Sequence, residues 1–307
     1  MRAISYDHYG DPDNLTLSDL PEPKVGPAEV LIRVRSAAVN PVDWKVAAGG
    51  LDALMNVTFP VIPGWDVSGV VERVGLDTPE FKPGDEVIAY ARKDWVHGGT
   101  FAELVTVPVR AVARKPKALD WHQAAGLPLA GLSAYQLLSR LGLSRDDTVL
   151  VHAAAGGVGS LAVQIAKATG ARVIGTASEA NHEVLRDLGA EPVAYGDGLA
   201  ERVRELAPDG VDVVVDFVGG VLDATLAVLK EDGRHGSIVE AEVAEKGGLY
   251  AWVRPNAADL QELADLADRG LLTVPVAQVF PLEEAAEAFR LSQGGHVRGK
   301  IAIEVSR

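Results

Sequence analysis

The 307-residue sequence contains no cysteine, so neither a disulfide framework nor a thiolate-bound zinc site can be built from it, and a reducing, cytoplasmic setting is the expectation. Long apolar runs are missing as well. The opening MRAISYDHYG carries no signal-like stretch, and nowhere does an uninterrupted apolar segment approach the ~18 residues that would suggest a membrane span. Neither secretion nor membrane insertion is expected. Positive charge is scarce: 29 Lys and Arg stand against 43 Asp and Glu, a formal charge of −14. That surface repels a phosphate backbone and argues against nucleic acid as the partner. What is present is apolar material, 48% of the chain, enough for the core of one large domain or two ordinary ones.

The segment 28–35, AEVLIRVR, alternates apolar and polar as a half-buried strand does, and VSGVVERVG and DEVIAYA continue in short strand-like pieces broken by Gly and Pro. The first ~115 residues therefore read as mostly β. From about Trp121 the texture changes. WHQAAGLPLAGLSAYQLLSRLG reads as helical, and TVLVHA, ARVIGTAS, VDVVVDFVG and HGSIVE are strand candidates with helical stretches between them. That alternation predicts an α/β domain with a doubly wound parallel sheet. AADLQELADLADRG and LEEAAEAFRLSQGG read as amphipathic helices stopped by Gly, and TVPVAQVF and GKIAIEV as strands returning to the first domain.

The sharpest local signal is TVLVHAAAGGVGSLAVQIAKATGARVIGTAS. A β run from Val149 to Val151 meets a small-residue turn and then a helix beginning near Gly159, the order of strand, phosphate loop and helix. Gly156, Gly157 and Gly159, with Val158 among them, remove side chains where a pyrophosphate must approach backbone N–H groups, and the helix start supplies partial positive charge. Ala154 replaces the first glycine of the usual pattern. About 20 residues past such a motif, an Asp or Glu usually holds the ribose 2′-OH. Here that register lands on Ser178, a hydroxyl that tolerates a 2′-phosphate, so NADPH is favoured over NADH. Glu179 lies one residue away, and Ser178 equally suits a helix N-cap.

NPVDWK (40–45), PVIPGWDVSGVV (60–71), KPGDEV (82–87), GTFAELVTVP (99–108), AAGLPLAGLSAYQ (124–136) and HVRGKIAI (296–303) follow one another in order. Together they resemble the medium-chain dehydrogenase/reductase superfamily, in its zinc-free NADPH:quinone oxidoreductase branch. The resemblance implies a GroES-like, β-rich catalytic domain, residues 1–121 completed by 270–307, and a Rossmann cofactor domain, residues 122–269, in a cytoplasmic homodimer. It also implies hydride transfer from NADPH to a quinone or an α,β-unsaturated carbonyl compound. Enoyl-thioester reduction, or NADPH binding without catalysis, is the alternative. Where the zinc-dependent alcohol dehydrogenases place Cys and His-Glu, this chain has Asp43 and Trp65-Asp66, so no metal is expected.

By the same resemblance Asn40 matches an active-site Asn that could hydrogen-bond the substrate carbonyl or the nicotinamide ribose, with an Asx turn before Pro41 as the structural alternative. Asp43 is a candidate that could instead anchor loop N–H groups. Lys45 stands where a tyrosine is often found, and could stabilise an enolate or bind a cofactor phosphate. For the cofactor, Tyr195 falls near the adenosine 2′-phosphate, and Val218 and Gly219 by the nicotinamide half. Val253, in the stretch Ala251 to Arg254, should cross the nicotinamide end, and Arg298 could reach phosphate. Trp65 and Trp252 could wall an apolar pocket. His152 is expected to pack inside the first Rossmann strand, His235 and His296 to sit on surface loops, and Glu240 to end the fifth strand.

Overall fold

The computed structural model describes residues 1–295 and 297–306; His296 lies outside the described residues. By its contacts the chain forms two compact units, Met1–Leu129 with Pro255–Arg307, and Ala130–Arg254.

The first unit contains β1 (Arg2–Ser5), β2 (Thr16–Asp19), β3 (Glu29–Val39), α1 (Pro41–Ala47), β4 (Val57–Ile62), β5 (Asp66–Val74), β6 (Glu86–Tyr90), β7 (Val96–Gly98), β8 (Leu104–Pro108), β9 (Val112–Arg114) and α2 (Trp121–Ala125). The chain then enters α3 (Pro128–Arg140), within which the two units meet in sequence. The segment read as an alternating strand is the middle of this unit. β3 pairs with β5, β8 and a late strand, and Val30, Leu31, Ile32 and Val34 are all buried. Paired along both edges, it buries residues of both parities, and only Arg33 in β3 is exposed.

The second unit contains β10 (Thr148–Val151), α4 (Gly159–Thr169), β11 (Arg172–Ala177), α5 (His182–Asp187), β12 (Glu191–Ala194), α6 (Leu199–Leu206), β13 (Val211–Asp216), α7 (Leu222–Val228), β14 (Leu229–Ser237) and β15 (Leu249–Tyr250). Its sheet runs β12-β11-β10-β13-β14-β15, and every pairing is parallel. Leu150, Ile174, Val203, Val211 and Val214 form part of its core. Successive strands are added outward from β10 in one direction and then, after β12, in the other. The reversal falls between β10 and β13, and the space outside the C-terminal strand ends at such a point is where open α/β sheets bind ligands. The remaining chain, α8 (Ala257–Asp268), β16 (Val276–Pro281), α9 (Ala285–Gln293) and β17 (Lys300–Glu304), belongs to the first unit. There β17 lies between β16 and β3.

Two helices account for the difference between these units and boundaries at 121 and 269. The carbonyl of Trp121 in α2 accepts from Ser68 Oγ at 2.6 Å, and His122 Nδ1 meets Ser36 Oγ at 3.0 Å. In α8, Gln261 and Asp268 accept the backbone N–H groups of Arg114 and Ala118. Both helices thus serve the β-rich unit. Among the described residues no helix is long and apolar enough to cross a membrane.

Candidate functional site

The turn after β10 is packed closely around its glycines. A Cβ on Gly159 would lie 2.1 Å from the Ala153 carbonyl oxygen, so only glycine lets α4 start this close to the preceding turn. Gly156, Gly157 and Val158 are half-buried, and no side chain caps the start of α4, leaving the positive end of an 11-residue helix directed at the turn. Beside it, Asp216 at the end of β13 is buried. Its carboxylate accepts the N–H groups of Val218 at 2.8 Å and Gly219 at 3.0 Å, and the Ser237 hydroxyl at 2.7 Å. Gly219 and Gly220 both have left-handed backbone (φ +81° and +68°), which favours glycine at each. These features fit a dinucleotide laid over the strand ends, with Gly156 to Gly159 holding the phosphates and Val218 and Gly219 the far half.

The flanking residues are distributed as follows. Ser178 is half-buried at the N-cap position of the short turn 179–181, but its Oγ accepts from Asn181 Nδ2 at 3.1 Å rather than capping the backbone. Glu179 is exposed. Tyr195 is 58% exposed on the loop after β12. The Arg202 guanidinium braces that loop by donating to the carbonyls of Ala194 and Asp197. Val253 is half-buried and Trp252 exposed, on a loop that Gln136 pins by bonding both the N–H and the carbonyl of Arg254. Glu240 does not end a strand: β14 stops at Ser237, whose hydroxyl accepts the N–H groups of Val239 and Glu240. The Glu240 carboxylate accepts the Gly220 N–H at 3.0 Å and so steadies the two-glycine turn. His235 is not on a surface loop. It is buried in β14, opposite Val214 of β13. His152 is buried with Nε2 3.1 Å from Thr225 Oγ1, and burial pushes its pKa down to about 4, leaving a neutral ring.

In the β-rich unit a cluster of four buried polar side chains stands where α1 begins. Asn40 donates from Nδ2 to Asp66 at 2.9 Å and accepts at Oδ1 from the Lys300 ammonium at 2.5 Å. Both ends of its carboxamide thus have protein partners. The side chain bridges a buried carboxylate and a buried ammonium, which uses one of its two Nδ2 hydrogens. Asp66 also accepts the Leu129 N–H at 2.8 Å and lies 3.9 Å from Lys300. Asp43 accepts the Asn40 backbone N–H at 2.7 Å, the anchoring role, while its Oδ1 has no partner among the described residues. Burial raises the Asp43 carboxyl to about 8, the Asn40 N–H opposing and the Asp66 charge adding to the rise. Asp66 is raised to about 6, again by burial, with Lys300 opposing. Lys300 is pushed down by burial.

Lys45 is not brought into this cluster: it is exposed, with Nζ 5.5 Å from the centre of the Trp44 ring. The register of a short helix separates it from Asp43, since residues two apart do not share a face. Arg298 is exposed. Trp65 is buried against Tyr90. Sequence reasoning missed Lys300 and the role of Asp66. The signal available was a lysine opening an otherwise apolar strand, KIAIEV, whose ammonium must find a partner if it is buried.

Two family models match this chain: the alcohol dehydrogenase GroES-like domain over residues 26–117 and the zinc-binding dehydrogenase over 188–303. The NADPH-dependent alkenal/one oxidoreductase of Arabidopsis thaliana, chloroplastic, is 36% identical over 312 residues, covering 99% of this chain and 79% of that protein. The 2-methylene-furan-3-one reductase of Solanum lycopersicum is 35% identical with the same coverage. The structure of the quinone oxidoreductase from Coxiella burnetii superposes with a TM-score of 0.87 at 36% identity, covering 100% of this chain and 99% of that one. The zinc in one family description has no matching donor set here. Among the described residues no group of three or more His, Cys, Asp or Glu is placed to hold a metal, a carboxylate, Asp43, stands where a thiolate would be needed and accepts the Asn40 N–H, and the indole of Trp65 offers no lone pair to a metal. The chain belongs to the medium-chain dehydrogenase/reductase superfamily, in its quinone oxidoreductase branch, and is an oxidoreductase.

Proposed function

We propose that this chain is a zinc-independent reductase that passes hydride from NADPH to a carbon conjugated with a carbonyl, in an enone or a quinone. The observation that carries the reading is the glycine turn between β10 and α4, where Gly159 has no room for a side chain and the helix start is uncapped. The alkenal/one oxidoreductase and furanone reductase relatives support the choice of acceptor.

When bound, NADPH supplies the hydride. The chain's part is to hold phosphate at Gly156 to Gly159 and to shape the strand ends through Asp216. Addition at the β-carbon moves an electron pair onto the carbonyl oxygen, and a proton from solvent then completes the saturated ketone, or the hydroquinone in the case of a quinone. No strong acid is required of the protein. Asn40, Asp66 and Lys300 act as positioning residues that fix the end of β3 and the start of α1, while Asp43 anchors that helix. NADPH is preferred over NADH because a hydroxyl, Ser178, stands at the ribose register and the Tyr195 phenol is free to donate to a 2′-phosphate. We read the protein as a homodimer joined through the sheet edge at β15; light scattering should give twice the 32.3 kDa of the chain, and a monomer at micromolar concentration contradicts this.

NADPH oxidation over a panel of enones, quinones and enoyl thioesters tests the function. Turnover with the first two classes is expected. Turnover confined to thioesters would assign the chain to enoyl-thioester reduction instead.

A further inference from the structure

The β-rich unit contains an apolar slot of about 360 Å³, within the usual size of small-molecule sites. Leu20, Pro21, Pro23, Pro60, Ile62 and Leu104 supply much of its wall. Its charged lining groups are Glu22, the Met1 amino group, which donates to the Leu20 carbonyl at 2.7 Å, and the side chain of Lys93. Its Nζ makes a single long hydrogen bond, 3.4 Å to Thr106 Oγ1, and would lie 3.4 Å from a Cβ built on Gly98. Both Thr106 and Gly98 line the slot, so the ammonium sits at its wall. Among the described residues no carboxylate lies within ion-pair distance of it. Glu22, which also lines the slot, is paired with Arg73 at 3.0 Å, and Glu29 accepts the Gly26 N–H. A largely desolvated ammonium without a counter-ion is costly to keep. Burial pushes its pKa down, and only the more distant charge of Glu29 opposes this.

We propose that this slot is a binding site for a monocarboxylate with an unbranched apolar tail, the carboxylate meeting Lys93 and Thr106 and the tail lying along Leu104, Ile62 and the prolines. The two halves of such a ligand match the two halves of the slot. A carboxylate replaces the missing counter-ion, and the tail gains from leaving water. A neutral apolar molecule leaves the ammonium as it is. Ile62, Lys93, His97, Gly98 and Gly99 also line the small cavity beside Asp43 and Trp65, so the slot shares a wall with that cavity.

The test is calorimetric titration of the full chain with octanoate and with octanol, for the wild type and for Lys93→Met. Octanoate should bind the wild type at least tenfold tighter than octanol. The variant should lose at least tenfold for octanoate while its octanol affinity stays within about twofold. Equal affinity for the two ligands in the wild type, or octanoate binding unchanged in the variant, overturns the proposal. A measurement on the wild type alone covers the case in which the variant does not fold. Acetylation of Lys93, followed by peptide mass spectrometry, should slow severalfold in octanoate and not in octanol, and absence of that protection equally overturns it.

Discussion

Replacing Lys300 by Met should expose how strongly the buried cluster depends on one positive charge. The ammonium is 95% buried, donates to Asn40 Oδ1 at 2.5 Å and to the Val39 carbonyl at 3.4 Å, and sits 3.9 Å from Asp66. Methionine fills the space but leaves Asn40 Oδ1 without a donor and two buried carboxyl groups without a cation. Breaking a buried pair by removing one partner costs about 3–5 kcal/mol, which for a unit of this size lowers Tm by roughly 10 °C. The penalty should depend on pH. Lys300 opposes the rise of both Asp43 and Asp66, so without it both carboxyl pKa values climb further. A carboxyl whose folded value is raised stabilises the fold fully below its unfolded value, and that stability is lost as pH rises through the folded value. The penalty therefore starts to grow as pH rises past about 6, where Asp66 ionises in the wild type, and Asp43, at about 8, adds to it only above that value, so pH 5 and pH 8 bracket the Asp66 part. At the acid end both carboxyls are neutral and the lone ammonium of the wild type is itself a burden, so the variant should come close to it. Denaturant unfolding of both proteins at the two pH values reads this directly. A penalty that is the same at both, or below about 1 kcal/mol at pH 8, refutes the electrostatic account of the cluster.

Gly159→Ala places a Cβ 2.1 Å from a backbone oxygen that cannot swing away; about 1–3 kcal/mol of stability and at least tenfold in cofactor affinity should be lost, and fluorescence titration showing unchanged affinity would mean the turn does not hold the phosphates. Tyr195→Phe should weaken NADPH binding about threefold to tenfold, the range for the net worth of one ordinary hydrogen bond, and leave NADH binding unchanged; wild-type protein that binds NADH as tightly as NADPH would show that Glu179, not Ser178, faces the ribose. Elemental analysis of chelator-washed protein should find no stoichiometric zinc, and one equivalent per chain would overturn the reading of Asp43, Trp65 and Asp66 as unable to assemble a zinc site.

The parts of the fold that repeat a local pattern were legible in the sequence. The parallel sheet announces itself through β10, β11 and β13, whose apolar runs are separated by helices, and the turn after β10 through its glycines. The allegiance of α2 and α8 was not legible, because a helix in the β-α rhythm looks the same whichever sheet it covers. Only partners distant in sequence, Ser68 for Trp121 and Arg114 for Gln261, assign them to the β-rich unit. The candidate site divides in the same way. Asn40 and Asp43 were visible in NPVDWK, but Lys300 lies 260 residues away, and no spacing rule connects it to them. Lys45 was visible in the same motif yet points elsewhere. His235 was misjudged because β14 begins at Leu229, well before the apolar run, and Glu240 because the strand ends at Ser237, earlier than that run suggests. The strand stops where Ser237 Oγ takes up the next backbone N–H groups.

The most direct test of the central claim is to reduce an unlabelled 2-alkenone with NADPH carrying deuterium at the transferred position of the nicotinamide, and to locate the label in the product by NMR. Hydride transfer to the conjugated carbon predicts the saturated ketone with one deuterium on its β-carbon and a solvent proton on its α-carbon. An allylic alcohol labelled at the former carbonyl carbon, or no NADPH oxidation with any enone or quinone offered, would contradict it.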